Sequence, residues 1–298
     1  MKHQLTSQYV VSADIGGSHI TAAICNPANH SVVLSSLIRA ELNSKADADE
    51  ILSIWVTTLQ NAIENVKLPV KGLAMAMPGP FDYQNGIAYI KGLYKYEALY
   101  GMDIKQYLAD ALKLSPMDIK FRNDAEATIA GEVLAGAGKY FKNVMGVTLG
   151  TGFGSGHFKN DQTIDLNLGS EPFKESIADD YLSTRWFLKR YHELTGMCVS
   201  NVQELAEIAY SNATAKEIFK EFALNMSNFL LEPVYSLKPE VLIICGNIAR
   251  ASGLFLPHLK KRLNINIQLA ELGELAPLTG AAALFESIIK LQTTTNHA

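Results

Sequence analysis

Apolar positions along the chain recur in two rhythms, and the change from one to the other marks the elements. Residues 9–13 form a short β-prone run ending at Asp14, and residues 20–24 form a second, separated from it by Gly16-Gly17-Ser18. Strand, glycine turn, strand predicts a hairpin. A third β-prone run covers residues 32–38. Ile51, Ile54, Trp55, Thr58, Leu59, Ala62, Ile63 and Val66 then repeat at helical spacing, with Asp47, Asp49 and Glu50 where a helix start favours negative charge. Residues 72–77 are continuously apolar and are halted by Pro78-Gly79-Pro80, which predicts a buried strand ending in a rigid turn.

The second half repeats the plan. Residues 144–148 predict a strand, Gly150-Thr151-Gly152 a turn, and residues 153–158 a returning strand; helical stretches follow over 177–191 and 215–235, then a buried strand over 241–244 that ends before Gly246. Between the halves, an apolar strand at 119–121 gives way at Arg122-Asn123-Asp124 to a helix through Ala130, Val133 and Leu134. Two glycine-tipped hairpins, each followed by helices and an apolar strand, predict an α/β protein of two lobes of related design. The expected boundary lies near 115–122. That gives an N-terminal lobe over 1–119, with a helix at 281–298 packing back on it, and a C-terminal lobe over 120–280. A chain of 298 residues agrees, since it exceeds the length at which one core usually stops growing, and two lobes imply a cleft.

Composition narrows the partners. With 48% hydrophobic and 19% charged residues the chain is neither disordered nor fibrous, and a net charge of −4 gives no attraction to polyanions. Nucleic acid and membrane are therefore not expected; a small molecule is. Residues 1–8 are polar and no run approaches 18 apolar residues, so a cytoplasmic location is expected. Cys25, Cys198 and Cys245 are odd in number and far apart, which favours buried free thiols over redox or metal chemistry.

Three places carry candidate chemistry. Asp14 stands at a strand end beside Gly16-Gly17-Ser18, a turn whose backbone amides can approach a phosphate closely while the carboxylate holds hydrated Mg²⁺; a plain hairpin turn is the alternative. Gly150-Thr151-Gly152-Phe153-Gly154-Ser155-Gly156 offers bare amides and a hydroxyl to phosphate oxygens. Its spacing matches neither the dinucleotide nor the P-loop pattern, and a strand rather than a helix follows it. Asp124 sits where a strand becomes a helix, a position that suits a helix cap as well as a general base held rigidly against a hydroxyl.

In order along the chain, these segments resemble the ROK family of sugar kinases and sugar-responsive repressors, within the actin-like (ribonuclease H-like) ATPase superfamily. Asp14-Ile15-Gly16-Gly17-Ser18 is similar to the family's first phosphate motif, Met77-Pro78-Gly79-Pro80 to its sugar-side turn, and Asn123-Asp124-Ala125-Glu126-Ala127 to its catalytic segment. Residues 148–156 resemble its second phosphate motif, Ile244-Cys245-Gly246-Asn247-Ile248-Ala249 its adenosine-side turn, and Leu278-Thr279-Gly280-Ala281-Ala282 the start of its closing helix. The resemblance implies ATP-dependent phosphorylation of a hexose. Asp124 would take the proton of the attacking hydroxyl, which an aspartate of ordinary pKa, about 3.9, can do because the hydroxyl becomes acidic only as the O–P bond forms. Asn123, with Pro78 and Gly79, would bind sugar; Asp14 would position Mg²⁺ through water. Gly16, Gly17, Ser18, Gly150, Thr151 and Gly152 would cradle phosphates, and Gly246 and Asn247 would border the adenine. Homodimers are common in the family, so a homodimer is a further expectation.

The departures lie on the sugar side. Many members carry Gly-Glu-x-Gly-His and then Cys-x-Cys-Gly-x-x-Gly-Cys, which bind a structural zinc. Here the stretch is shortened to residues 168–183, so no zinc is expected; Glu171 falls near the first sugar-binding glutamate, Lys174 near the histidine, and Asp179 at the second glutamate. Lys174 reads better as an exposed charge on a helix face. Gly92-Leu93 stands where the family has Asn-Leu. Glucose is the leading expected substrate, with N-acetylglucosamine or N-acetylmannosamine next and a sugar sensor without turnover as a further alternative. A repressor would need a helix-turn-helix domain ahead of the first strand, where only eight residues precede Tyr9.

Overall fold

The computed structural model describes residues 9–92 and 95–286. They form two compact units, one of residues 9–135 with 274–286 and one of residues 136–273.

In the first unit, strands β1 (Tyr9–Ile15), β2 (His19–Asn26) and β3 (Ser31–Glu41) form an antiparallel meander. Helix α1 (Ala48–Glu64), capped by the Asp47 side chain on the Glu50 amide, crosses to β4 (Val70–Met77), which lies parallel to β1. Helix α2 (Ile104–Leu112) leads to β5 (Ile119–Asn123), parallel to β4. The sheet order is β3-β2-β1-β4-β5. The apolar stripe read from the sequence is the face α1 buries: Ile51, Trp55 and Leu59 are fully enclosed with Val11, Leu73 and Met75 of the sheet.

The other face of that sheet is covered by helix α3 (Asp124–Ala135) and a helix from the chain's end, Leu275–Ala282, called α9 below. These two helices touch backbone to backbone. A Cβ on Gly280 would stand 1.8 Å from the Ala127 carbonyl oxygen, and one on Gly131 would stand 2.0 Å from that of Ala276, so only glycine fits at the crossing. Arg122, half-buried in β5, secures the same junction by donating to the Gly280 carbonyl (2.9 Å) and pairing with Glu126 (3.0 Å).

The second unit repeats the sheet. Strands β6 (Asn143–Leu149), β7 (Phe153–Lys159) and β8 (Gln162–Asp165) form a meander, and β9 (Val241–Cys245) and β10 (Asn266–Leu269) add parallel strands in the order β8-β7-β6-β9-β10. Helices α4 (Asp179–Leu182), α5 (Thr184–Thr195), α6 (Val202–Ala209), α7 (Ala213–Leu237) and α8 (Ser252–Arg262) supply the cover. Phe187, Phe219, Phe222 and Phe255 interlock at its centre with ring centroids 4.6–5.3 Å apart.

Four sequence expectations change. The boundary falls after Ala135 rather than near 119, because β5 pairs with β4 and α3 packs on α9 within the first sheet's unit. The return of the chain's end to the first unit already begins at residue 274; residues 287–298 lie outside the described residues, as do residues 1–8 and Leu93. The helix expected over 177–191 is two helices broken at Ser183, whose backbone is extended (φ −117°, ψ 172°), while Ile177 belongs to a two-residue strand. Cys25 and Cys245 are buried in strands, whereas Cys198 is exposed beside His192, since it lies in the loop after α5. No helix among the described residues is long and apolar enough to cross a membrane.

Candidate functional site

In the first unit the candidate residues gather at the carboxyl ends of parallel strands, where ligands of open α/β sheets bind. Asp14 is next to the last residue of β1 and pairs with Ala76 of β4; Asn123, the last residue of β5, pairs with Met77, which leads into Pro78 and Gly79. The glycine turn beyond Asp14 is closed by the Gly16 amide donating to the His19 carbonyl (2.9 Å). Burial, and next the negative charge of Asp124, raise the Asp14 carboxyl to about 7; Arg39 opposes the rise and Glu274 adds to it. Asp14 and Asp124 therefore share one electrostatic environment. Arg39 and Glu274 are themselves paired at 3.2 Å.

The structure divides the roles that the Asn-Asp junction left open. The Asn123 oxygen accepts from the amides of Ala125 (2.9 Å) and Glu126 (3.1 Å), so the cap is Asn123. Asp124 is then the first helical residue, half-buried, in the turn where the helix dipole favours a carboxylate. The Asn123 amide donates to the Tyr83 hydroxyl (3.1 Å), which in turn donates to the Met77 carbonyl (3.3 Å); a Cβ on Gly79 would stand 3.2 Å from that hydroxyl. Met77, Gly79 and Asn123 thus meet at the Tyr83 hydroxyl, and Pro78 lies in the chain between the first two. The Gly79–Pro80 bond is cis.

Tyr96 also enters from the chain stretch expected on the sugar side. Its buried ring lies against Trp55 (centroids 5.6 Å apart), and its hydroxyl donates to the Gly16 carbonyl in the phosphate turn. Burial and the nearby Asp14 carboxylate push the phenol above its usual range. Gly92 has a positive φ of 74°.

In the second unit Gly150, Thr151 and Gly152 join β6 to β7, closed by the Gly150 amide donating to the Gly152 carbonyl (3.0 Å). Gly246 follows β9 at the same sheet edge, since Cys245 pairs with Thr148. Its φ is +89°, and an added Cβ would meet the Leu149 oxygen at 2.4 Å, so the position requires glycine on both counts. Asn247 begins the short 3₁₀ turn beyond it.

The shortened stretch 168–183 is a small hairpin, Pro172–Phe173 against Ser176–Ile177, leading into α4. Glu171 is exposed at its base, where its carbonyl accepts from the Ala178 amide (2.9 Å). Lys174 is on the hairpin's tip rather than on a helix. Its ammonium lies over the rings of Phe173 (5.6 Å) and Tyr181 (5.0 Å) and donates to the buried Asn225 (2.7 Å). Asp179 does not point away from the phosphate turn: one oxygen accepts from the Phe153 amide and the other from Arg185. Among the described residues no three His, Cys, Asp or Glu side chains cluster to hold a metal.

Tyr83, Tyr96, Thr184 and Arg185 went unnoticed in the sequence. Tyr96, Thr184 and Arg185 act through backbone groups remote in the chain, and Tyr83 through the remote Asn123 side chain, for which no local pattern exists. Only the position of Thr184-Arg185 directly after the Asp179–Ser183 segment offered a signal.

Comparison with known proteins bears on the chemistry. A family model described as the ROK family matches residues 10–170. The chain is 24% identical to an N-acetyl-D-glucosamine kinase of Mannheimia succiniciproducens over 91% of this chain and 97% of that one. It is 21% identical to a glucokinase of Thermotoga maritima over 85% and 86%. Among solved structures, a ROK family glucokinase from Streptomyces griseus, in complex with glucose and AMPPNP, superimposes with a TM-score of 0.76 at 19% identity, covering 93% of this chain and 98% of that one. The two sheets of identical strand order accord with the actin-like fold of these neighbours.

Proposed function

Because this chain belongs to the ROK family, we propose that it is a sugar kinase that transfers the γ-phosphate of ATP to a hydroxyl of a hexose or N-acetylhexosamine. The observation that carries the reading is the Asp14–Asp124 pair. Two electrostatically coupled carboxylates, one at the end of β1 and one at the start of α3 directly after β5, stand on either side of the β4 end, and with Asp14 raised to about 7 they are a destabilising arrangement that serves a ligand.

Asp124 is the general base. It sits on a rigid helix start with its neighbour Asn123 providing the cap, so its carboxylate is oriented before substrate arrives. Pro78, Gly79, Asn123 and Glu171 are assigned to sugar. Gly16, Gly17 and Ser18 are assigned to phosphate, as are Gly150, Thr151 and Gly152; Gly246 and Asn247 are assigned to adenine.

The residues present fit a divalent cation. Asp14 is half-buried and feels the charge of a second carboxylate, and positive charge there would return it to the ionised form. Asp14 would hold Mg²⁺ through water, and the ion would neutralise charge on the phosphate oxygens.

The relative from Mannheimia favours N-acetylglucosamine, and the glucokinase relative favours glucose. An ATP-coupled assay over glucose, mannose, fructose, N-acetylglucosamine and N-acetylmannosamine tests turnover and substrate together. Turnover of one of these above the ATP hydrolysis background is expected. Tight sugar binding with no phosphorylation of any would replace the kinase with a sensor.

A further inference from the structure

Asp179 falls where the family resemblance implies a sugar-binding carboxylate, yet its contacts point elsewhere. We infer that Asp179 and Arg185 form a charged clamp that orients the second glycine turn toward phosphate, making both positioning residues of the nucleotide side. This rests on the kinase reading above.

Three backbone groups of the turn are gripped from residues 179–185. The Gly150 carbonyl accepts from the Thr184 amide (2.8 Å) and hydroxyl (2.9 Å). The Thr151 carbonyl accepts from Arg185 Nη1 (3.2 Å), and the Phe153 amide donates to Asp179 Oδ1. Arg185 Nη2 donates to Asp179 Oδ2, which joins the last two grips into one unit. A Cβ on Gly152 would lie 3.1 Å from Asp179 Oδ1, so the carboxylate is packed against the turn itself.

Peptide planarity gives these grips a consequence. In a trans peptide the carbonyl and the following amide point in opposite directions. Drawing the Gly150 and Thr151 carbonyls onto the start of α5 therefore turns the amides of Thr151 and Gly152 away from it. Neither amide has a protein acceptor among the described residues. Two adjacent amides aimed outward from a glycine turn suit an anion. The pairing is needed as well: a bare carboxylate beside such a cradle would repel phosphate, and the guanidinium cancels its charge.

The clamp is tested by calorimetric titration of the whole chain with Mg·ADP in the absence of sugar, and separately with N-acetylglucosamine and glucose. Arg185→Ala should weaken Mg·ADP by about tenfold or more, since it removes the Thr151 grip and exposes the Asp179 charge. Asp179→Ala should weaken it less, and the double variant should recover part of the Arg185→Ala loss. Sugar affinity should stay within about twofold of the parent throughout. Asp179→Ala should also speed hydrogen exchange of the Phe153 amide, a readout that needs no ligand. The inference is overturned if Asp179→Ala abolishes sugar binding while Mg·ADP affinity holds, or if Arg185→Ala binds Mg·ADP as the parent does. Arg185 is a largely exposed side chain, so its variants test the idea even where Asp179→Ala fails to fold. Failure of the kinase reading has its own signature, a parent chain that binds no Mg·ADP, and it would overturn the nucleotide role while leaving the Phe153 exchange result to judge the clamp's geometry.

Discussion

The two glycine turns occupy equivalent places in sheets of the same strand order, yet they are supported in opposite ways. Beside Gly16-Gly17-Ser18 the support is a neutral hydroxyl, Tyr96 on the Gly16 carbonyl, and the nearby charge is unbalanced: Asp14 and Asp124 repel, and Asp14 rises to about 7. Beside Gly150-Thr151-Gly152 the support is a salt bridge, and the Asp179 carboxylate already has Arg185 and a backbone amide as partners. A repeated backbone has been given two chemistries. The first turn stands beside coupled carboxylates, which under the proposed function a cation would relieve; beside the second, the carboxylate is already paired.

The largest effect expected of any change is at the base. Asp124→Asn should lower kcat by about 10²- to 10⁴-fold with sugar affinity retained, as for loss of a general base. Measured kcat near the parent's would remove the asymmetry between the turns. Next comes the cost of the carboxylate pair in metal-free protein. The unfolded Asp14 ionises near pH 3.9 and the folded one near 7, so between these values the folded chain binds more protons and stability falls as pH rises. Asp14→Asn should cancel that fall. Denaturant titrations should find the variant more stable than the parent at pH 8 by on the order of 2–4 kcal/mol, with the gap closing toward pH 4; a pH-independent gap would mean that Asp14 carries no such strain.

On the rigid side, Gly246→Ala should destabilise by about 1–3 kcal/mol and weaken nucleotide, because its Cβ meets the Leu149 oxygen and φ is +89°. An unchanged melting temperature would show the second turn to be more yielding than its contacts imply. The smallest effect belongs to Tyr96→Phe. Loss of one hydrogen bond to Gly16 should lower stability by about 1 kcal/mol, and kcat should fall several-fold while KM for sugar moves little, since Trp55 still holds the ring. A change confined to stability would reduce Tyr96 to packing.

The sequence by itself determined what repeats locally. Short β-prone and continuously apolar runs placed β1, β2, β4, β6, β7 and β9, the helical stripe around Trp55 placed α1, and the glycine pairs marked both turns, because each signal depends on residues a few positions apart. Only the tertiary structure decided how closely the end helix packs on α3, where the first unit ends, and which partners Asp179 and Lys174 take. Those outcomes rest on contacts between residues remote in the chain, such as Gly280 against Ala127, Tyr96 on Gly16 and Lys174 on Asn225. A side chain's partner there is set by the path of the backbone between them, and no periodicity within one element encodes it.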